Sequence, residues 1–185
     1  QRSDQLKPKE EEDVAEEVKA FLLEEGIEIY TNANTKKVGQ KSGKIEIEIE
    51  QDGQSIFVTG DQLLIAAGRN PNSDTLDLEN TNINVGDKGF IEVDDYCETA
   101  EKGVYALGDV NGHGGFTHTA VNDAEIVLDR LFGGNRKLSS RNTSYGLFTD
   151  PPLFRDCMTE KEALATGNRV LKATIPMKSI ILAKE

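Results

Sequence analysis

Two stretches of the 185-residue chain put polar groups where a folded protein can use them. In Gly103-Val104-Tyr105-Ala106-Leu107-Gly108-Asp109-Val110, an apolar run ends in a glycine and a carboxylate. A strand closing this way sets Asp109 at the carboxyl edge of a sheet, where α/β proteins gather their ligand contacts. Gly108 has no side chain, so a ligand can come close to the backbone there. Further on, Phe116-Thr117-His118 opens a helix. The first N–H groups of a helix lack intrahelical partners and sit at the positive end of its dipole, which suits a group that carries or gains negative charge. His118 reads first as a cap or packing residue and second as a general acid. His113, in a Gly-rich loop, reads as exposed.

Other chemistries lack the residues they need. Cys97 and Cys157 are far apart, with no second Cys or His at metal-ligand spacing, and both read as structural thiols. The two histidines form no HExxH pattern, so a zinc site is not expected. No Gly-x-Gly-x-x-Gly follows a strand, which leaves little to cradle a pyrophosphate. Dinucleotide affinity of this stretch alone is therefore expected to be low.

Two further segments frame the Gly-Asp turn: Leu64-Ile65-Ala66-Ala67-Gly68-Arg69-Asn70-Pro71-Asn72 before it, and Phe148-Thr149-Asp150-Pro151-Pro152 with Met158-Thr159-Glu160-Lys161-Glu162-Ala163 after it. Together, in this order and spacing, the three segments resemble the class I pyridine nucleotide-disulfide oxidoreductases, such as glutathione reductase, dihydrolipoamide dehydrogenase and mercuric reductase. The resemblance covers nearly the whole chain, and from Ala106 to Ile175 it is greatest to the reactive-chlorine-resistance branch.

The resemblance implies FAD and NAD(P)H as cofactors and a homodimer as the assembly. It implies that Asp109 accepts a hydrogen bond from the FAD ribityl chain beside Gly108, and that the amides of Phe116, Thr117 and His118 meet the flavin ring. Gly68 matches the glycine of the family's A-x-G-R-x-P segment, beside the nicotinamide nucleotide. Arg2 falls just after the expected ribose-reading strand, where an arginine goes with NADPH and an acid with NAD. The family's redox cysteine pair and Gly-rich turns have no match here, and its C-terminal His and Glu would fall beyond Glu185. Gln1 is not an initiator methionine. These features lead us to expect a fragment, inactive alone and prone to self-association. The intact protein would pass electrons from NAD(P)H through flavin to a disulfide, thiol or metal-ion acceptor. The competing expectation is a non-catalytic α/β binding or interaction module, since fold does not fix function; Gly-rich turns and a cysteine pair encoded upstream would exclude it.

The elements that must position these residues follow from periodicity. Residues 10–25 read as an amphipathic helix with Val14, Val18, Phe21 and Leu22 on one face, stopped by Gly26. A short strand is expected at Ile27, Ile29 and Tyr30. Ile45, Ile47 and Ile49 alternate with Glu46, Glu48 and Glu50, giving a strand with one buried and one solvated face. Turn signals at Ser42-Gly43 and Asp52-Gly53 make residues 36–59 hairpins or a meander. Leu63 to Ala67, with no polar alternation, reads as a strand buried on both faces, as in a parallel sheet. Strands are also expected at Phe90–Val93, Val104–Leu107 and Val170–Ile175. A helix is expected over 118–131, with Ala120, Ala124, Val127, Leu128 and Leu131 inward. Residues 134–144 read as a linker, Gly146–Thr149 as extended, and Thr159–Glu162 as a capping box opening a short helix that Gly167 closes.

The fold class expected is α/β: parts of two Rossmann-like dinucleotide-binding domains plus the start of an α+β dimerisation domain. Residues 1–62 would complete an NAD(P)-binding domain, 63–136 an FAD-binding domain, and 137–185 would begin the interface domain. With 21 basic and 33 acidic residues, the net charge is −12. Such a surface repels phosphate backbones and anionic lipid, so nucleic acid and membrane are not expected partners. A reducing cytoplasm is the expected location.

Overall fold

Glu12 and Asp13 in a first turn, followed by Val14, Ala15 and Val18 at helical spacing, form α1, Glu12–Glu24, with Ala15 and Val18 buried. Gly26, at φ +83°, ends it. Its N–H bonds Leu23 O and the N–H of Ile27 bonds Leu22 O, so two otherwise orphaned carbonyls are satisfied. The computed structural model describes residues 1–180. By contact, the chain forms two compact units: Gln1–Leu64 with the chain from Cys157 onward, and Ile65–Asp156.

In the first unit, β1 (Ala33–Lys41), β2 (Lys44–Gln51) and β3 (Gln54–Gly60) make the expected meander, antiparallel throughout. Both turns have positive φ at their two central residues, 52° and 81° at Ser42-Gly43 and 51° and 76° at Asp52-Gly53. That turn matches the right-handed twist of paired strands. Ile47 lies between Val38 and Val58, and Ile49 opposite Ile56, giving one apolar face. On the other, Glu46 and Glu50 pair with Lys41 and Lys36, so the acidic edge is partly neutralised. The strand expected at Ile27, Ile29 and Tyr30 does not form; the Gln1 amine bonds Tyr30 O instead.

The second unit is mostly turns around one long helix. Isolated bridges join Val85 to Ile91 and Glu98 to Tyr105. A 3-10 turn at Gly108–Asn111 leads to α2, Thr117–Leu131, and a hairpin follows from β4 (Ser144–Leu147) and β5 (Leu153–Asp156). Cys97, Ile126 and Val127 form the core, with Tyr105, Leu107 and Leu138 packed against them. The short helix α3, Glu160–Ala165, returns to the first unit with its capping box in place, and Lys161 N–H bonds Glu11 Oε1.

Four strand expectations are corrected. Leu63–Ala67, Phe90–Val93, Val104–Leu107 and Val170–Ile175 form no ladder, and Leu64 and Ile65 are 87% and 80% exposed. A doubly buried strand needs neighbours for its N–H and C=O groups, and no parallel pair exists among the described residues. The buried face of α2 differs in part, with Val127 inside as expected. Thr119, Asp123, Ile126 and Val127 are inside, whereas Leu128 and Leu131 are exposed. Nor is 134–144 a bare linker: Leu138 joins the core and Ser139 bonds Asp95.

Candidate cofactor-binding site

Gly108 is left-handed, at φ +73°, and a Cβ there would sit 3.1 Å from that of Ala120 on α2. Only glycine meets both demands without strain. Its N–H donates to Asp123 Oδ2 over 2.8 Å, which locks the turn onto the helix. Asp109 follows with its side chain 56% exposed, pointing its carboxylate at Arg69, whose Nη1 lies 2.9 Å from Oδ2. The Gly68-Arg69 turn and the Gly108-Asp109 turn are thus brought together. Gly68 has φ +121°, again a conformation suited to glycine, with open space where a Cβ would be.

Thr117 begins α2, and Phe116 precedes it in extended conformation with no side chain capping the helix. The N–H groups of Thr119 and Ala120 both bond Phe116 O, and those of Thr117 and His118 precede these first backbone bonds of the helix. Phe116 stacks on the His118 ring at 5.3 Å and on Tyr145 at 6.2 Å. His118 Nε2 lies 2.9 Å from Ser144 O. A carbonyl can only accept, so Nε2 carries the proton and this face of the ring is occupied. The bond ties α2 to β4. His113 passes its backbone N–H to Asn111 Oδ1, and its carbonyl takes Arg141 Nη2.

Arg2 lies in the other unit and is exposed; Gln1 and Ser3, on either side of it, bond the 30–33 segment. Sequence reasoning assigned no role to Arg69, Asn111, Asp123 or Arg141. The Arg69 pairing could have been suspected from its place in Gly-Arg-Asn-Pro; nothing local marks Asp123 as buried. Cys97 is fully buried, and desolvation, then the nearby Asp123 charge, pushes its thiol up to about 12. Among the described residues, no group of three or more His, Cys, Asp or Glu could hold a metal ion.

A ligand with hydroxyls and an electron-rich edge suits this chemistry. An exposed carboxylate can accept from a hydroxyl, and the uncapped amides at the start of α2 can donate. The sequence holds no Gly-x-Gly-x-x-Gly turn of the kind that cradles a pyrophosphate.

The chain has, in part, the fold of the flavoprotein disulfide reductases. It belongs to the pyridine nucleotide-disulphide oxidoreductase family, whose sequence profile matches residues 1–124. The probable pyridine nucleotide-disulfide oxidoreductase RclA of Escherichia coli is 34% identical over 96% of this chain and 40% of its own length. A mercuric reductase of Staphylococcus aureus is 31% identical over 97% of this chain and 33% of its own. The solved structure of RclA, described as an HOCl-induced flavoprotein disulfide reductase, aligns with a TM-score of 0.86 at 31% identity, covering 98% of this chain and 41% of that one. The chain therefore spans about two fifths or less of the length of these relatives. No helix among the described residues is long and apolar enough to cross a membrane.

Proposed function

We propose that this chain supplies the flavin-ring side of an FAD- and NAD(P)H-dependent oxidoreductase. The observation that carries the reading is the Gly108-Asp109 turn: a glycine held left-handed against α2, followed by an exposed carboxylate beside an uncapped helix start. Asp109 would accept a hydrogen bond from the ribityl chain. The amides of Phe116, Thr117 and His118 would face the ring and favour its electron-rich form through N–H donation and the helix dipole. Bound there, FAD would supply two-electron chemistry between NAD(P)H and a disulfide, thiol or metal-ion acceptor. Gly68 would border the nicotinamide nucleotide and Arg2 would lean the choice towards NADPH.

In this reading residues 1–62 are the end of the NAD(P)-binding domain and 63–136 the end of the FAD-binding domain. Residues 137–185 begin the interface domain of a homodimer, although the last five lie outside the described residues. The protein would work in the cytoplasm, without nucleic acid or membrane. Alone, the chain would be inactive.

The reading is supported by the family match and by the likeness to a flavoprotein reductase. It is tested by thermal unfolding of the chain with and without added FAD. A ligand that binds only the folded state raises the midpoint in a concentration-dependent way. We expect FAD to raise it for the native sequence and not for Asp109→Ala. Equal shifts of the two would remove Asp109 from the site; no shift for either, with FAD raised far above the weak affinity expected of this stretch, would remove the flavin contact from this chain.

A further inference from the structure

We propose that Asp123 is the positioning residue of the Gly108-Asp109 turn, and that Arg141 holds it in that role. Asp123 sits on α2 with no exposed surface. A carboxylate that deep persists only when its charge and lone pairs are met. Here both oxygens are used. Oδ2 accepts Gly108 N–H at 2.8 Å and Asn111 Nδ2 at 2.9 Å, and Oδ1 accepts Arg141 Nη1. Asn111, also buried, carries the network further, donating to Ala106 O at 3.1 Å and accepting His113 N–H at 2.9 Å. Arg141 closes it by donating from Nη2 to His113 O, also at 2.9 Å.

The chain on both sides of Asp109 is thus tied to one carboxylate, through the backbone N–H of Gly108 and the side-chain amide of Asn111. The bond to Gly108 sets the Leu107–Gly108 peptide plane, one residue before Asp109, and Asn111 sets the return of the turn. The direction of the exposed Asp109 carboxylate follows from these two constraints. Charge-assisted bonds are stronger than neutral ones, and Arg141 is itself held in place by its second bond, from Nη2 to His113 O. Arg141 belongs to the segment that leads into β4, so the carboxylate also ties the start of the hairpin to the turn.

An asparagine at 123 has one acceptor oxygen, so it can serve Arg141 or the Gly108–Asn111 pair but not both. Removing Arg141 leaves the turn untouched chemically but leaves a buried charge unpaired. A role in stability alone would loosen the whole unit; a positioning role loosens the turn first. The flavin part of the consequence rests on the function proposed above, whereas the turn itself can be read without flavin.

The experiment is amide hydrogen exchange on the 185-residue chain, followed residue by residue by NMR, with Ile126 N–H as the core reference. Asp123→Asn and Arg141→Ala should each speed exchange at Gly108 by about tenfold or more while Ile126 stays unchanged, since local opening needs less free energy than global opening. Arg141→Lys, keeping the charge, should restore most of the protection. In parallel, FAD titration should show weaker binding in Asp123→Asn, with no further loss in the double variant with Asp109→Ala. Gly108 exchange that rises only in step with Ile126, or not at all, overturns the proposal. Additive losses in the double variant overturn its link to Asp109. Should Asp123→Asn not fold, the comparison of Arg141→Ala with Arg141→Lys decides alone. If Gly108 responds as expected but the native chain binds no flavin, the positioning role is upheld and the flavin reading fails.

Discussion

Arg69 donates from Nη1 to Asp109 Oδ2 over 2.9 Å, so the exposed carboxylate of the Gly-Asp turn already has a cationic partner forty residues earlier in the chain. Both side chains are more than half exposed, and water screens such a pair. The contact therefore orients more than it stabilises. A ligand hydroxyl that donates to Asp109 can share or displace it.

Arg69→Ala should cost no more than about 1 kcal/mol of stability. The urea midpoint would move little, and added salt would remove even that difference. Flavin affinity in the same variant should equal or exceed that of the native sequence, because the carboxylate is released rather than lost. A fall as deep as that of Asp109→Ala would make Arg69 a ligand contact in its own right.

Gly108→Ala should destabilise the second unit by about 1–3 kcal/mol, combining a left-handed φ with a 3.1 Å approach to Ala120. Chemical denaturation measures it. Gly68→Ala has open space around it but a φ of +121°, further from the left-handed well than +73°, so its cost comes from the backbone alone. A Gly108→Ala cost well below about 1 kcal/mol would mean that the approach to Ala120 contributes nothing.

Cys97 and Cys157 should separate cleanly by reactivity. Cys157 is exposed, whereas Cys97 is buried with its thiol raised from 9.0 to about 12. Only thiolate reacts, so one thiol should titrate quickly with a disulfide reagent at pH 8 and the other only after denaturation. The raised value also has a stability sign. Between pH 9 and pH 12 the unfolded chain gives up the Cys97 proton and the folded chain keeps it. Cys97 thus contributes its full stability below pH 9 and loses it as pH rises towards 12. Cys97→Ala should flatten that part of the stability profile.

How much of this could be read from the sequence depended on the range of the interactions involved. The period-two isoleucines with Ser42-Gly43 and Asp52-Gly53 specify the meander locally, since each turn sets its own register. Thr159 to Glu162 likewise carries its own cap, with Thr159 Oγ1 accepting Glu162 N–H at 3.1 Å. The apolar run from Leu63 to Ala67 carries no such instruction. Its pairing depends on strands elsewhere, and it stays exposed where none adjoins it. Asp123 was hidden for a similar reason. The residue that makes its burial tolerable, Arg141, lies eighteen positions on, in a stretch whose composition reads as linker. The α2 face is legible only in part: Val127 is inside as its spacing predicts, whereas Leu128 and Leu131 are exposed and Asp123 and Ile126 are buried.

Thr159→Ala should therefore act locally. Loss of a Ser/Thr cap costs about 1 kcal/mol, so α3 should fray while α1 and the meander hold. Faster amide exchange confined to residues 160–163 would show it. Exchange spreading through the first unit would instead give the cap a wider structural role.

On the function proposed above, this chain would recognise the isoalloxazine and ribityl part of FAD and not its pyrophosphate. The most direct measurement is a flavin-fluorescence titration of the chain with riboflavin and FAD in parallel, repeated for Asp109→Ala. We expect both ligands to bind with affinities within about threefold of each other, a difference under about 1 kcal/mol, and both to weaken at least about tenfold in the variant. FAD binding far more tightly than riboflavin would place the pyrophosphate contacts in this chain, and titrations unaltered by Asp109→Ala would take Asp109 out of the flavin site.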